Sequence, residues 1–277
     1  MGLRISTNIA SINAQRTLGN TQREVQNSSA QLASGNRINK SGDDAAGLAI
    51  SETLKAQVRG FRQASRNASD GISLVQTSEG GLNEISNIIV RLRELGVQAS
   101  SDTVGDRERG MIDVEVQQLK AESQRIALTT KFGTKALLDG TGETLDFQVG
   151  VNNNGFQDRI SFNAGAANAT IDALEIADID YKTKEGAQGS LAQLDEASIR
   201  VNKTRADLGA LQNRLQSTIQ NLGIQDENLS AANSRIRDTD VANATAEMTR
   251  NNVLLNANVS TLAQANQVGG LALKLIG

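Results

Sequence analysis

Apolar residues recur with helical spacing along most of this chain. The longest pattern runs from about Leu48 to Leu95 and advances mainly in alternating steps of three and four. Its members are apolar or small residues, namely Val58, Phe61, Ser65, Ala68, Ile72, Val75, Leu82 and Ile89. Such steps are typical of a coiled-coil seam. A helix this long would extend about 80 Å at about 1.5 Å per residue, which predicts a rod rather than a small globule.

The residues on either side of this pattern predict where the helix ends. Ser41-Gly42-Asp43-Asp44 precedes it, and Asp43 is the predicted N-cap. Residues 100–106 are turn formers. A second helix then carries apolar residues at Ile112, Val116, Leu119 and Ile126. We expect it to fold back on the first helix as a helical hairpin.

The middle of the chain has the period of a β-strand instead. Leu145, Phe147, Val149 and Val151 alternate with polar residues or glycine. Residues 152–155 are turn formers, and Ile160 and Phe162 again alternate with polar neighbours. This pattern predicts a small β-hairpin region within residues 140–182.

A third long helix is predicted after the hairpin. Its apolar positions are Leu191, Leu194, Val201, Leu208, Leu215, Ile219, Leu222, Leu229 and Ile236. The spacing is again that of a seam, so this helix should pack along the helix of residues 45–99.

The two ends of the chain carry sparse repeats of seven residues. The repeat positions are Leu18, Val25 and Leu32 near the N terminus, and Val241, Met248, Leu255, Leu262, Gly269 and Ile276 near the C terminus. Both ends are rich in Asn, Gln, Ser and Ala. A helix with so thin an apolar face is marginal in water. We therefore predict that the ends are largely disordered in the free monomer and fold when neighbouring subunits complete their core.

These patterns predict a mainly α fold, a long antiparallel helical bundle with a small β-hairpin. The chain ends, residues 1–44 and 238–277, would form one discontinuous domain. Residues 45–139 and 183–237 would form a helical rod domain, with residues 140–182 as its outer part. The absence of proline permits such long helices.

Composition restricts the chemistry that this chain can perform. It contains no histidine, cysteine, proline or tryptophan, and aromatic residues make up 2% of it. A structural zinc site, thiol catalysis and a Ser-His-Asp triad are therefore not expected. The pair Asp43-Asp44 could be a catalytic acid pair, but its place at a helix start favours capping. We predict no catalytic residue, no cofactor and no metal site.

Charge and hydropathy argue against two further classes of partner. The net charge of −3 is too small to indicate nucleic-acid binding. No apolar run reaches 18 residues, so no membrane insertion is expected. Residues 1–8 lack the apolar stretch of a secretory signal peptide, so secretion would require another route.

Four segments resemble conserved motifs of bacterial flagellins. They are residues 31–50 (QLASGNRINKSGDDAAGLAI), 63–73 (QASRNASDGIS), 206–215 (ADLGALQNRL) and 262–268 (LAQANQV). The resemblance covers about residues 1–140 and 188–277. Only about 45 residues separate the two blocks, so the chain is similar to a short flagellin without large outer variable domains.

The resemblance implies a self-polymerising structural subunit of the flagellar filament. The terminal helices would form an inner-tube coiled coil, with Leu18, Val25, Leu32, Met248, Leu255, Leu262 and Ile276 at the polymerisation interface. Residues 34–42 would link this tube to the next shell. Implied partners are further copies of the chain, an export chaperone, and filament cap and hook-junction proteins, with type III export to the cell exterior. A hook–filament junction protein and a cytoplasmic coiled-coil scaffold are the alternatives.

The resemblance also implies a surface patch for a vertebrate innate receptor. In flagellins that this receptor detects, a helical patch carries a glutamine, an arginine and a glutamate. Arg91 and Glu94 match the last two, whereas Val90 stands at the glutamine position. Strong activation of the receptor is therefore not expected. Read without the resemblance, Arg91 and Arg93 are residues of a charged helix face.

Overall fold

Helices make up most of the fold. The computed structural model describes the backbone of residues 7–274 and the side chains of residues 7–267. In this part, the α-helices are α1 (Ile9–Ser34), α2 (Ala45–Ala99), α3 (Asp106–Thr129), α4 (Lys184–Arg237) and α5 (Val241–Lys274). The strands are β1 (Lys131–Phe132), β2 (Lys135–Ala136), β3 (Thr144–Gln148) and β4 (Arg159–Asn163), which pair antiparallel as β1–β2 and β3–β4. The predicted mainly α fold with a small hairpin is confirmed.

The chain divides into two compact units. One contains the chain up to Ala56 and from Asn228 onward, and the other is Gln57–Glu227. The first unit therefore joins the two ends of the sequence. The assignment of residues 1–44 and 238–277 to an inner domain, and of the remaining residues to a helical rod domain, stays a prediction.

Asp44, not Asp43, caps the N terminus of α2. The Asp44 Oδ1 atom accepts a hydrogen bond of 2.8 Å from the backbone N–H of Gly47, the third helical residue. Asp43 instead accepts backbone N–H bonds from Lys40 and Asn39 at 2.9 and 3.0 Å. These bonds hold the pKa of Asp43 below its usual value. The prediction of Asp43 as the N-cap was wrong, because its carboxylate bonds the backbone of the turn before the helix instead.

A buried arginine closes the hairpin between α2 and α3. The Arg109 guanidinium donates to the carbonyl oxygens of Ala99 and Ser101 at 2.9 and 3.0 Å, and to Asp106 at 2.9 Å. The last carbonyls of a helix have no partner within that helix. Arg109 supplies a partner for the carbonyl of Ala99, the last residue of α2, and also bonds the turn that follows; the predicted helical hairpin is confirmed.

The core of the unit Gln57–Glu227 is aliphatic. One face each of α2, α3 and α4 contributes buried residues, among them Leu82, Ile85, Ile89, Leu92, Val116, Ala127, Leu194, Val201 and Leu208. The hairpin of β3 and β4 adds to this core through Phe162, which pairs with Leu145. Ion pairs such as Arg93–Asp195 at 2.7 Å link α2 to α4 at the surface, as the predicted packing of these helices requires.

An irregular segment of residues 171–183, rich in turns and here called the strap, covers this core. Its side chains Leu174, Ile176, Ile179 and Tyr181 are at most 2% exposed. The prediction of a β-hairpin region for residues 140–182 is therefore correct for β3 and β4 but wrong for the strap. The strap has no neighbouring strand, and helix side chains satisfy much of its backbone instead.

Those side chains form a polar stripe on one face of α3. Asp113 accepts the backbone N–H of Tyr181 at 3.1 Å, and the Gln124 side chain accepts that of Ile171 at 2.9 Å. The Lys120 ammonium donates to the carbonyls of Ala177 and, at 3.1 Å, of Ile179. Burial lowers the pKa of Lys120. Because Asp113, Lys120 and Gln124 bond the backbone of the strap, the strap can lie against the helix without forming a sheet.

A short hairpin and the hydropathy of the helices remain to be described. The hairpin β1–β2 was not predicted, because strands of two residues are too short to show a period. Within the described residues, no helix has the length and apolar character needed to cross a bilayer.

The single tyrosine offers a test of the strap. The Tyr181 hydroxyl donates to the Leu92 carbonyl at 2.8 Å, and burial raises its pKa to about 12. The neutral phenol is therefore favoured in the fold. This contribution to stability is complete below the unfolded pKa of about 10 and is lost as pH rises toward 12. We expect the phenolate absorbance to appear near pH 12 in the native chain and near pH 10 in denaturant. Tyr181→Phe serves as the blank, and a native midpoint near pH 10 without unfolding would contradict the buried strap.

Candidate assembly interface

Helices α1 and α5 form an antiparallel pair in the unit that joins the chain ends. The Asn8 side chain donates to the Ala265 carbonyl at 2.9 Å, and the Asn258 side chain donates to the Thr21 hydroxyl at 3.0 Å. Antiparallel pairing therefore brings the start of α1 beside Ala265, in the C-terminal half of α5.

Backbone bonds join the other end of this pair. The Arg37 N–H donates to the Arg237 carbonyl at 2.6 Å, and the Thr239 N–H donates to the Gly35 carbonyl at 2.9 Å. These bonds flank an isolated antiparallel β-bridge between Asn36 and Asp238, here called the base bridge. The linker predicted at residues 34–42 is thus tied to the segment between α4 and α5.

The predicted interface residues lie in the seam between α1 and α5. Six of them are half-buried, namely Leu18, Val25, Leu32, Met248, Leu255 and Leu262. Ile276 lies outside the described residues. Val241, the first member of the C-terminal repeat, is 60% exposed and lies outside the seam. Whether these residues form a polymerisation interface stays a prediction.

The more deeply buried half of this seam was not predicted from the sequence. Small or polar side chains are buried there at Ser11, Thr21, Ser28, Ala244 and Ala265. A seam has two positions in every seven residues, and only the apolar position had been recognised. Adding the second position, three or four residues along, would have found the others.

This seam buries little apolar surface for its length. Its large side chains stay half-buried, and its deepest positions hold small or polar groups. Full burial of a leucine contributes about 1.5–3 kcal/mol, whereas ordering the backbone costs about 1–2 kcal/mol per residue. We therefore expect pairing within one chain to leave α1 and α5 marginally stable.

Further apolar side chains of this unit face away from the seam. They are Ile9, Ile12, Val253, Leu254 and Val259, each between 45% and 63% exposed. Contiguous exposed apolar surface in a soluble chain usually marks an interaction site. The outer faces of both helices therefore offer apolar surface to a partner.

The predicted receptor-like patch lies in the other unit. Arg91 donates to Glu94 at 3.1 Å and, through two nitrogens, to Glu115 at 3.0 and 2.9 Å. The hydrogen bonds to Glu115 raise the pKa of Arg91, with a smaller effect from Glu94. Val90 beside them is 53% exposed. Glu115 lies on α3 and could have been found only from the register of the helical hairpin.

Among the residues that the structure describes, no group of three or more His, Cys, Asp or Glu side chains is placed to hold a metal ion. The Arg91–Glu94 and Arg91–Glu115 pairs are exposed ion pairs, which suits a contact surface.

Two parts of the chain match families of known proteins. Residues 5–143 match the bacterial flagellin N-terminal helical region, and residues 191–276 match the bacterial flagellin C-terminal helical region. Together these matches cover well over half of the chain and include α1 to α3, most of α4 and all of α5.

Individual relatives are similar over almost their whole length. A flagellin of Halalkalibacterium halodurans is 45% identical over 272 residues, which cover 98% of this chain and 99% of that protein. A flagellar filament 33 kDa core protein of Treponema phagedenis is 41% identical over 283 residues, with 98% and 99% covered. The crystal structure of Bacillus cereus flagellin has a TM-score of 0.51 and 30% identity, covering 61% of this chain and 94% of that one.

The thin seam leads to a prediction about the dilute monomer. We expect backbone amides of α1 and α5 to exchange with deuterium much faster than those of the aliphatic core in α2 and α4, because exchange follows local opening. Hydrogen exchange with mass spectrometry measures this directly. Equal protection of α5 and α4 would mean stable terminal helices, as in a soluble coiled-coil scaffold.

Proposed function

Because the chain belongs to the bacterial flagellin family and is a structural subunit of the flagellar filament, we propose that the α1–α5 pair drives its polymerisation. The observation that carries this proposal is the exposed apolar surface on the outer faces of α1 and α5. A pair that is marginal alone gains stability when other subunits cover these faces.

Polymerisation would complete the burial that one chain cannot provide. The seam holds Leu18, Val25, Leu32, Met248, Leu255 and Leu262, and Ile9, Ile12, Val253, Leu254 and Val259 lie outside it. We propose that the seam forms within each subunit and the outer apolar residues pack between subunits. Ordering of the helices and growth of the polymer would then be coupled.

The remaining partners follow from this coupling. We propose that the filament lies outside the cell and that the chain leaves the cell by type III export. An export chaperone would cover α5 before export, since exposed apolar helices are prone to aggregation. Cap and hook-junction proteins would contact the same helices at the ends of the filament. We expect no catalytic activity.

The Arg91 patch is proposed as a contact for a vertebrate innate receptor. Arg91, Glu94 and Glu115 form one exposed ion-pair network on α2 and α3. Exposed ion pairs contribute little to stability because solvent screens them. These side chains are therefore free to exchange their partners for those of a bound protein.

Leu255→Asp tests the proposed interface. A carboxylate in the seam would be desolvated without a partner, so we expect polymerisation to be lost while the unit Gln57–Glu227 stays folded. Negative-stain electron microscopy at high salt or with filament seeds measures polymerisation. The titration of Tyr181 reports whether that unit is intact.

The matched control is Asn256→Asp, which places the same carboxylate on the exposed neighbouring residue. We expect this variant to keep more polymerisation than Leu255→Asp. Normal filaments from Leu255→Asp would show that the seam residue is not needed. Failure of both variants would attribute the effect to charge on α5 rather than to the seam.

Val90→Gln tests the receptor patch. The substitution restores the side chain implied by the family resemblance at a position 53% exposed, so the fold should tolerate it. We expect higher signalling in a receptor reporter cell line than with the unchanged chain, and Arg91→Ala in the Val90→Gln background should remove the gain. An unchanged response with correctly folded Val90→Gln would reject this patch.

A further inference from the structure

The seam between α1 and α5 contains a buried polar pair. Thr21 is 6% exposed, and its hydroxyl accepts from the Asn258 side chain at 3.0 Å while donating to the Thr17 carbonyl at 3.1 Å. We infer that the pair Thr21–Asn258 fixes the register of α1 against α5. The inference goes beyond the proposed function, because it concerns pairing within one chain and does not require a polymer.

The pair sets the order of the layers around it. With Thr21 level with Asn258, antiparallel heptad spacing brings Leu18 level with Leu262 and Val25 level with Leu255. One heptad beyond the pair Thr21–Asn258, Ser28 lies level with Asn251. The seam therefore alternates apolar layers with small or polar layers, and each polar layer has potential hydrogen-bond partners on both helices.

A slip of three residues would destroy this order. It would place Thr21 opposite Leu255 and would bring Leu18 to Val259, next to Asn258. Polar groups would then be buried against leucine without a partner, which is more costly than the modest net gain from making the hydrogen bond. A single polar layer is known to select register in coiled coils in this way, with some loss of stability.

A slip of seven residues is excluded by a different feature. It would preserve the alternation, because Thr21 would meet Asn251 and Leu18 would meet Leu255. The base bridge between Asn36 and Asp238 prevents it by joining the two helices at their base. The bridge lies 15 residues from Thr21, about 22 Å along a helix, and helices this marginal can rewind over that distance. The base bridge thus excludes slips by a whole heptad, and the pair Thr21–Asn258 excludes slips by part of a heptad.

The absence of cysteine from the chain allows register to be measured with introduced pairs. Ser11→Cys with Asn266→Cys reports the observed register, since the Ser11 Oγ and Asn266 Oδ1 atoms lie 2.9 Å apart. Ser11→Cys with Ala263→Cys reports a slip of three residues. Intrachain disulfide yield in each pair is measured in the dilute full-length chain, with an osmolyte that favours folding.

The test compares these yields with and without the polar pair. In the otherwise unchanged chain, we expect the pair that reports the observed register to form about tenfold more disulfide than the pair that reports the slip. One buried hydrogen bond would allow a preference of this size. Thr21→Val with Asn258→Leu makes the layer apolar and should bring the two yields close to equality, with helicity by circular dichroism retained. Thr21→Ala with Asn258→Ala provides a second variant of high helix propensity, with the same expected result.

The matched control is Thr17→Val with Asn256→Leu, which makes the same replacements at exposed positions of the same helices. It should keep the tenfold preference, as should the conservative Thr21→Ser. Retention of the preference in both variants that remove the polar pair would overturn the inference and assign register to the base bridge alone. Equal yields in the chain with Thr21 and Asn258 intact would show that no register is fixed.

Discussion

The need to cover thin apolar stripes governs this structure. Aromatic residues make up 2% of the chain, so its helices can bury only narrow rows of Leu, Ile, Val and Ala. Such a row stabilises a helix only when another element lies along it. In the unit Gln57–Glu227, three helices, a hairpin and the strap provide that cover within one chain. The pair of α1 and α5 has a single row on each helix and leaves its outer apolar residues exposed.

Buried polar groups determine how the packing of each unit is completed. In α3, Asp113, Lys120 and Gln124 bond the backbone of the strap, and this allows an irregular segment to close an aliphatic core. In the terminal pair, Thr21 and Asn258 occupy positions where apolar residues would add stability. A buried polar group requires a partner. Such groups hold the strap over the core in one unit and restrict the alignment of α1 against α5 in the other. We expect this specificity to come with low stability, as would suit helices that are proposed to complete their burial by assembly.

The parts of the fold that sequence could predict are those with a repeating pattern. Long rows such as Val75, Leu82 and Ile89 predicted α2, and the alternation around Phe147 predicted β3. The strap was missed because its backbone partners are side chains of a helix about 60 residues earlier, which leaves no period to detect. Glu115 was missed for a related reason, since its contact with Arg91 depends on the register of the helical hairpin. Composition pointed to contact surfaces rather than chemistry, but only the structure separated seam residues from outer apolar residues.

The arrangement of exposed apolar residues also bears on the symmetry of assembly. A surface that pairs with its own copy closes a dimer and stops, whereas an open helical polymer requires two different surfaces that meet head to tail. The outer face of α1 carries Ile9 and Ile12 near its start, and that of α5 carries Val253, Leu254 and Val259 near its middle. These faces differ in both sequence and position along the antiparallel pair. A subunit built in this way presents two unlike apolar surfaces, as an open helical polymer requires.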